Sequence, residues 1–371
     1  MDARSKSASV HGGALRVLIA GGGTGGHIVP ALAIARELRD AHGAEVRFVG
    51  TARGLETRMV PDAGFPLELV HVGQLKNVSV LTRLRTLGDL PRGVLRCVGL
   101  LRTFRPHVVV GVGGYASGPA MMAALLLRTP TLAFEPNAAP GLANRLVGKF
   151  VSTAAVNFPE TARYFRNAQV TGIPVRPEFF EIAPLAPSHA MRLLVMGGSQ
   201  GARALNERVP QIASALLQAV PGLTIEHQCG TRHLQSTEAA YAASGADPAR
   251  YVVAAFLNNA AQAIAEANLL VCRSGASTVA ELCAAGRPAL YVPFPQAADD
   301  HQRKNADAMV AAGAAQLLVE AEMTATTLLA RIQSLLAQPV QLQSMGLAAR
   351  SAAHRDALHT LGQMVVALVA N

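Results

Sequence analysis

One local pattern occurs twice in this 371-residue chain and leaves few folds open. An apolar run, a glycine cluster and an amphipathic stretch follow one another in ALRVLIAGGGTGGHIVPALAIARELRD, and again in MRLLVMGGSQGARALNE. Short apolar runs bounded by glycine read as buried strands, and the stretches after them carry helical periodicity. Strands that feed helices through glycine loops build parallel sheets covered by helices on both faces. The two clusters begin at Gly21 and Gly197, about a domain's length apart. The expected fold is therefore α/β, with two Rossmann-like parallel-sheet domains facing a cleft. Further strands are expected at EVRFVG, HVVVGVG and PTLAFE in the first half. In the second half they are expected at LTIEHQCG, YVVAAF, ANLLVCRSG and PALYVPF. Residues 1–13 form a polar tail expected to lack order, and 14–176 the first domain. The Pro-rich 177–188 is the linker, 189–350 the second domain and 351–371 a terminal segment.

Gly21, Gly23 and Gly26 satisfy the G-x-G-x-x-G spacing of dinucleotide sites. A strand, Ala14–Ala20, precedes them, and Pro30 is expected to open the helix that follows. The fingerprint also needs an acid at the end of the next strand, to hold the adenosine ribose. EVRFVG runs into TARG instead, where Arg53 is the nearest charge. That weakens a nicotinamide reading and leaves NADP as a distant alternative. His27 adds a titratable group at the mouth of the loop.

Half of the residues are hydrophobic, enough for large cores. The four cysteines, Cys97, Cys229, Cys272 and Cys283, form no C-x-x-C pair and read as buried thiols of a reducing compartment. Residues 108–127 carry no charge over about the length of a membrane span. GVGGYASGP interrupts them, so the segment reads as strand, loop and helix. The net charge of +9 is unevenly placed. Residues 1–176 hold 21 basic and 10 acidic residues, and the remainder holds 12 and 14. Between Lys76 and Arg105 seven basic residues, Arg83, Arg85 and Arg92 among them, face one acid, Asp89, and alternate with leucine and valine. Such a stretch suits an anionic membrane surface, or is an amphipathic helix with a solvated basic face. Without tryptophan or a reader motif, nucleic acid is not an expected partner.

Taken in order, GGGTGGH, GYASGP, GIPVR, GGSQGA and CRSGASTVAE resemble the MurG glycosyltransferases, from about residue 15 to the C-terminus. The resemblance implies the GT-B fold, with the C-terminal helix of 351–371 packed back on the first domain. It implies inverting transfer of N-acetylglucosamine from UDP-GlcNAc to the MurNAc 4-hydroxyl of lipid I, giving lipid II. The place implied is the cytoplasmic face of the plasma membrane, with cell-wall and division proteins as further partners. The first glycine loop then faces phosphate rather than a nicotinamide. Lipid I meets the first domain and UDP-GlcNAc the second.

The resemblance also assigns residues. For the donor these are Thr24, Gly25, Gly26, Asn137, Arg176, Ser199, Leu257, Ala276, Glu281 and Gln302. Ser199 sits on the diphosphate, where a helix start favours an anion. Glu281 accepts the ribose hydroxyls, the backbone at Leu257 reads the uracil edge, and Gln302 meets the transferred sugar. Arg273 and Ser274 line the same pocket. His27, Tyr115 and Glu135 face the acceptor. His27 is the leading base, since imidazole takes a proton near neutral pH. Glu135 is the competing base, and both it and Asn144 also fit structural roles. Ile173, Pro136 and His301 stand where the family often has Asn, Gln and Gln. No D-x-D pair occurs, so no metal and no other cofactor is expected. The rival readings are a UDP-GlcNAc 2-epimerase, a transferase to another lipid, and a non-catalytic UDP-sugar-binding scaffold at the membrane.

Overall fold

The computed structural model describes residues 13–23, 25–52, 54–71, 80–186, 191–198 and 200–370, and for 80–89 the backbone course alone. Thr24, Ser199, Arg53, Lys76, the tail before residue 13 and the side chains of Arg83 and Arg85 lie outside that description. The chain divides into two units. The first comprises residues up to Pro174 together with Asp356–Asn371, and the second Val175–Arg355.

The first unit is a seven-stranded sheet. Its strands are β1 (Arg16–Gly21), β2 (Glu45–Gly50), β3 (Leu67–Leu69), β4 (Val108–Gly113), β5 (Thr131–Glu135), β6 (Thr153–Val156) and β7 (Ala168–Val170). Their order is β3-β2-β1-β4-β5-β6-β7, parallel throughout. β1 lies between β2 and β4, with Val17 opposite both Val46 and Val108. Fully buried parallel strands carry unbroken apolar runs, as VVVGVG does here. Leu18, Ala20, Val109 and Ala133 pack on one face against Val94, Cys97, Leu101, Ala120, Met121 and Val147 of the helices Val80–Phe104, Ser117–Leu126 and Leu142–Val147. Residues 108–127 thus divide into strand, turn and helix. Among the described residues no helix is long and apolar enough to cross a membrane.

The second unit is a six-stranded parallel sheet. Its strands are β8 (Arg192–Met196), β9 (Thr224–Gln228), β10 (Tyr251–Ala254), β11 (Leu269–Cys272), β12 (Ala289–Tyr291) and β13 (Ala315–Leu317), in the order β10-β9-β8-β11-β12-β13. Leu193, Val195, Leu269 and Val271 face the helices Arg203–Ala219 and Ala325–Leu336 across the core. In each unit the chain leaves its first strand in both directions, at β1/β4 and at β8/β11. Loops diverge at such switch points and leave room for a ligand at the strands' carboxyl ends.

Three sequence expectations change. The helix after the first glycine cluster begins at Gly25, not Pro30, and runs to His42. The first four N–H groups of a helix have no internal partner, so Pro30, the sixth residue, costs a single bond near the end and is tolerated. The division falls after Pro174, so Arg176 belongs to the second unit. The expected linker opens with the short helix Pro177–Phe180 and is then tied to that unit by arginines. Arg350 donates to the carbonyls of Ile182 and Phe180, and Arg287 to that of Ala183. The helix Ala357–Ala370 lies on the helix Gly25–His42 within the first unit. Gly362 lets them approach, since a Cβ there would sit 2.9 Å from His42 Nε2. All four cysteines are buried and unbridged.

Candidate active site

In the first unit the loops after β1, β2 and β4 interlock. The pairing of β1 with β4 shifts register between Ala20 and Gly21, which brings Gly21 opposite Gly113. Gly113 and Gly114 have φ of +90° and +82°, a region open to glycine. A Cβ on Gly114 would stand 2.3 Å from the carbonyl oxygen of Gly22. A Cβ on Gly113 would stand 3.0 Å from both Cδ2 and Nε2 of His27. The imidazole therefore rests on the backbone of Gly113, two residues before Tyr115, which is 40% exposed. His27 is the third residue of its helix rather than a member of the loop, and Gly25 and Gly26 are the first two.

The loop is held by a residue that the sequence did not single out. Glu56, in the first turn of the helix Glu56–Asp62, is completely buried. Its carboxylate accepts from Gly23 N at 2.7 Å, Thr51 N at 3.0 Å and Thr51 Oγ1 at 2.9 Å. Side chains on Gly22, Gly50 or Gly54 would overlap it, their Cβ positions falling 2.3, 2.7 and 1.8 Å from its atoms. An acid does follow β2, but it lies beneath the loop, where no ribose reaches it. The Gly23 N–H is already committed to that carboxylate and is not offered to a phosphate.

Glu135 does for the loop after β5 what Glu56 does for the loop after β1. It ends its strand, nearly inaccessible, and accepts from Asn137 N, Asn137 Nδ2, Gly141 N and Asn144 Nδ2 at 3.0–3.1 Å. Burial pushes its carboxyl above the ordinary value, against the pull of those four donors. Both oxygens are occupied by the loop that carries Asn137, so this carboxylate organises the loop and is a poorly placed base.

In the second unit the glycine loop after β8 folds onto the end of β9. Gly201 and Gly230, with φ of +76° and +84°, touch there, and a Cβ on Gly201 would stand 2.0 Å from the Cys229 carbonyl oxygen. Gly198 has φ of +77°, and its missing Cβ would point into open space. The helix after the loop begins at Arg203. Leu257, half-buried, follows β10 in the segment before the helix Ala260–Glu266. Ala276 opens the helix Ala276–Ala285, which carries Glu281. Burial pushes the Glu281 carboxyl up to about 7; Arg176 lowers it and Glu178 raises it. Arg176 pairs with Glu178 at 3.1 Å and lies over the Phe179 ring at 5.0 Å. Gln302 accepts from Phe294 N through Oε1 at 3.0 Å, and from Ser274 Oγ through its carbonyl at 2.8 Å. Two consecutive left-handed residues, Asp299 and Asp300, turn the chain just before it. Arg273 does not join this group. It donates to the carbonyls of Val292 and Pro293 and pairs with Glu320 at 2.6 Å, inside the fold. Arg176, Leu257, Ala276, Glu281 and Gln302 thus all belong to one unit, while Gly25, Gly26, His27, Tyr115, Glu135 and Asn137 belong to the other.

Comparison with known proteins bears on both units. Residues 17–156 match the glycosyltransferase family 28 N-terminal domain, and residues 192–361 the family 28 C-terminal domain. A protein of Anaeromyxobacter sp. (strain Fw109-5) is 46% identical over 340 residues, covering 90% of this chain and 88% of its own. One of Nitrosococcus oceani is 46% identical over 354 residues, covering 94% and 96%. Both are named UDP-N-acetylglucosamine–N-acetylmuramyl-(pentapeptide) pyrophosphoryl-undecaprenol N-acetylglucosamine transferase. The crystal structure of Acinetobacter baumannii MurG superposes with a TM-score of 0.82 at 31% identity, covering 95% of this chain and 99% of that one. A putative UDP-N-acetylglucosamine 2-epimerase from Listeria monocytogenes superposes with a TM-score of 0.63 at 11% identity, a likeness of fold alone.

Proposed function

The chain belongs to glycosyltransferase family 28, and from that premise we propose how its two units divide the reaction. The protein transfers N-acetylglucosamine from UDP-GlcNAc to lipid I, the undecaprenyl-diphosphate-linked acceptor, and so makes lipid II. The identity of 46% over nine-tenths of the chain to transferases of that name carries this conclusion. It favours transfer over the epimerase and scaffold readings, since the likeness to an epimerase, at 11% identity, is one of fold alone.

Displacement at the anomeric carbon needs a base for the acceptor hydroxyl and stabilisation of the departing diphosphate. His27 is our base. The MurNAc 4-hydroxyl gives its proton to the imidazole as its oxygen attacks the sugar carbon, and UDP leaves from the opposite side with inversion. Gly113 sets the ring's position from below, and Tyr115 contacts the acceptor. Glu135 holds the loop that carries Asn137. The second unit takes the nucleotide. Ser199 receives the diphosphate and Arg176 adds its charge, so no metal is required. Glu281, when ionised, accepts both ribose hydroxyls. Leu257 and Ala276 contact the nucleotide through their backbone, and Gln302 meets the transferred sugar.

The acceptor is lipid-borne, and the first unit has a surface suited to it. Leu95, Leu126, Leu142 and Leu146 are exposed on the three helices that cover one face of its sheet, and Phe150 just past the end of the third, Leu126 and Phe150 at 70%. Arg92, Arg96, Arg102, Arg128, Arg145 and Lys149 are exposed on the same helices and their ends. Apolar side chains ringed by cations bind anionic bilayers peripherally. This surface is our membrane contact, at the cytoplasmic leaflet where UDP-GlcNAc is found.

Radiolabelled UDP-GlcNAc incubated with protein and a lipid I analogue tests the activity. Label in a product carrying one added GlcNAc supports it. Interconversion of the free sugar nucleotide without any lipid product would overturn it in favour of the epimerase.

A further inference from the structure

The side chain that fixes the donor loop is one that no motif announces. Gln228 ends β9, the strand between β8 and β10, with Met196 opposite it on one side and Ala254 on the other. Its side chain is 4% exposed. Oε1 accepts from Gly198 N at 3.0 Å. Nε2 donates to the carbonyl of Gly198 at 3.0 Å and to that of Ala255 at 2.9 Å. Both polar groups of the Gly198 residue and one of Ala255 thus converge on a single carboxamide, whose two N–H groups and oxygen are all used. The backbone of the same strand end adds to the tie, through Gly197 N to Gln228 O at 3.0 Å and Gly230 N to the Ala255 carbonyl at 3.2 Å. Gly198 adjoins the residue assigned to the diphosphate, and Ala255 stands two residues before the one assigned to the uracil edge.

We propose that Gln228 is a positioning residue for the sugar nucleotide. It holds the diphosphate loop and the base-reading segment at a fixed separation, so that the two ends of UDP are bound together. This rests on the reading that UDP-GlcNAc sits in the second unit. The chemistry requires a carboxamide. Gly198 presents a donor and an acceptor side by side, which neither a carboxylate nor an apolar side chain can match. Left unpaired, Gly198 turns toward water, and some of the binding energy is spent re-forming the loop when UDP arrives.

The experiment measures dissociation constants for UDP and for uridine by calorimetry, and KM and kcat for UDP-GlcNAc. The proteins are the native chain, Gln228→Met, Gln228→Glu and Glu281→Gln. Gln228→Met keeps the length and loses the bonds; Gln228→Glu keeps one acceptor and covers the case in which the first variant does not fold. We expect UDP affinity to fall about tenfold in both Gln228 variants and uridine affinity less than threefold, since the loss falls on joining the two ends. KM for UDP-GlcNAc rises about as much, and kcat stays within about threefold. A side chain that merely supports the core would lower the melting temperature and leave the ratio of UDP to uridine affinity unchanged. That outcome overturns the proposal, as does an unchanged UDP affinity in the Gln228 variants when Glu281→Gln is weakened. If no variant, Glu281→Gln included, loses UDP affinity, the nucleotide does not sit in this unit, and the proposal falls with the reading beneath it.

Discussion

Replacing Glu56 by glutamine changes one atom in a site with no room to adjust. The carboxylate accepts three hydrogen bonds, two of them from backbone N–H groups on different loops. Glutamine can point its oxygen at Thr51, which sets an NH2 against the Gly23 N–H at about 2.7 Å. It can point its oxygen at Gly23 instead, which sets the NH2 against the Thr51 N–H. Either way a buried backbone donor loses its partner. The side chain cannot swing aside, because Gly22, Gly50 and Gly54 already approach it as closely as glycines can. Losing a charge-assisted bond and burying an unpaired donor costs about 2–3 kcal/mol. For a unit of this size that lowers the melting temperature by roughly 5–10 °C. Scanning calorimetry of native and Glu56→Gln protein reads the shift. Transfer activity should fall with it, because the loop leads directly into the turn that carries His27, while UDP affinity should hold, since the proposed UDP site lies in the other unit. A melting temperature within about 2 °C of native would show that the carboxylate does not hold the loop, and the account of Gly22, Gly50 and Gly54 would fail.

Three further outcomes follow from single groups. His227 is enclosed between Tyr241 OH at 3.1 Å and Asn206 Oδ1 at 3.0 Å, and burial pushes its pKa down to about 3. Its contribution to stability is whole above about pH 6.5, the unfolded value, and drains as pH falls toward 3, by about 2 kcal/mol between pH 8 and pH 5; denaturant unfolding of His227→Gln should lose this slope, and an unchanged slope would refute the assignment. Glu281, pushed up to about 7 by burial, is ionised above that pH and protonated below it, so UDP should bind about tenfold more weakly at pH 6 than at pH 8. Titration calorimetry of Glu281→Gln should show this pH dependence flattened, and a native protein with no such dependence would count against the ribose contact. Charge reversal at Arg92, Arg96 and Arg102 should reduce co-sedimentation with anionic vesicles several-fold and leave binding of UDP untouched; equal sedimentation would rule this surface out as the membrane contact.

The sequence conveyed the architecture because its signals are local and repeated. Two strand–glycine–helix units fix two parallel sheets, and the apolar runs place β1, β2, β4 and β5 in one sheet and β8 to β12 in the other. The strands not foreseen, β3, β6, β7 and β13, are three or four residues long and lie toward the sheet edges, too short to show a period. Pro30 misled because proline is tolerated deeper in this helix than the first turn. The anchors of the two glycine loops were hidden for a different reason. An acid in the first turn of a helix is ordinary, and so is a glutamine at a strand end, so neither Glu56 nor Gln228 departs from the local norm. What sets them apart is which distant backbone groups they meet. Gly50 and Gly54 on either side of Thr51 were the available hint, since glycines that crowd one position mark a side chain needing space. Arg273 shows the converse: a cation inside a strong motif looked like a ligand contact and instead satisfies carbonyls within its own unit.

In the proposed mechanism His27, seated on Gly113, takes the proton from the acceptor hydroxyl during transfer from UDP-GlcNAc. The most direct test is the turnover of native and His27→Ala protein with a lipid I analogue, each with its melting temperature and UDP affinity measured alongside. A folded His27→Ala protein should bind UDP like the native one and turn over at least about a hundredfold more slowly, the range expected for removal of a general base. Near-native turnover in a folded His27→Ala protein would contradict it and return the search for the base to the rest of the first unit.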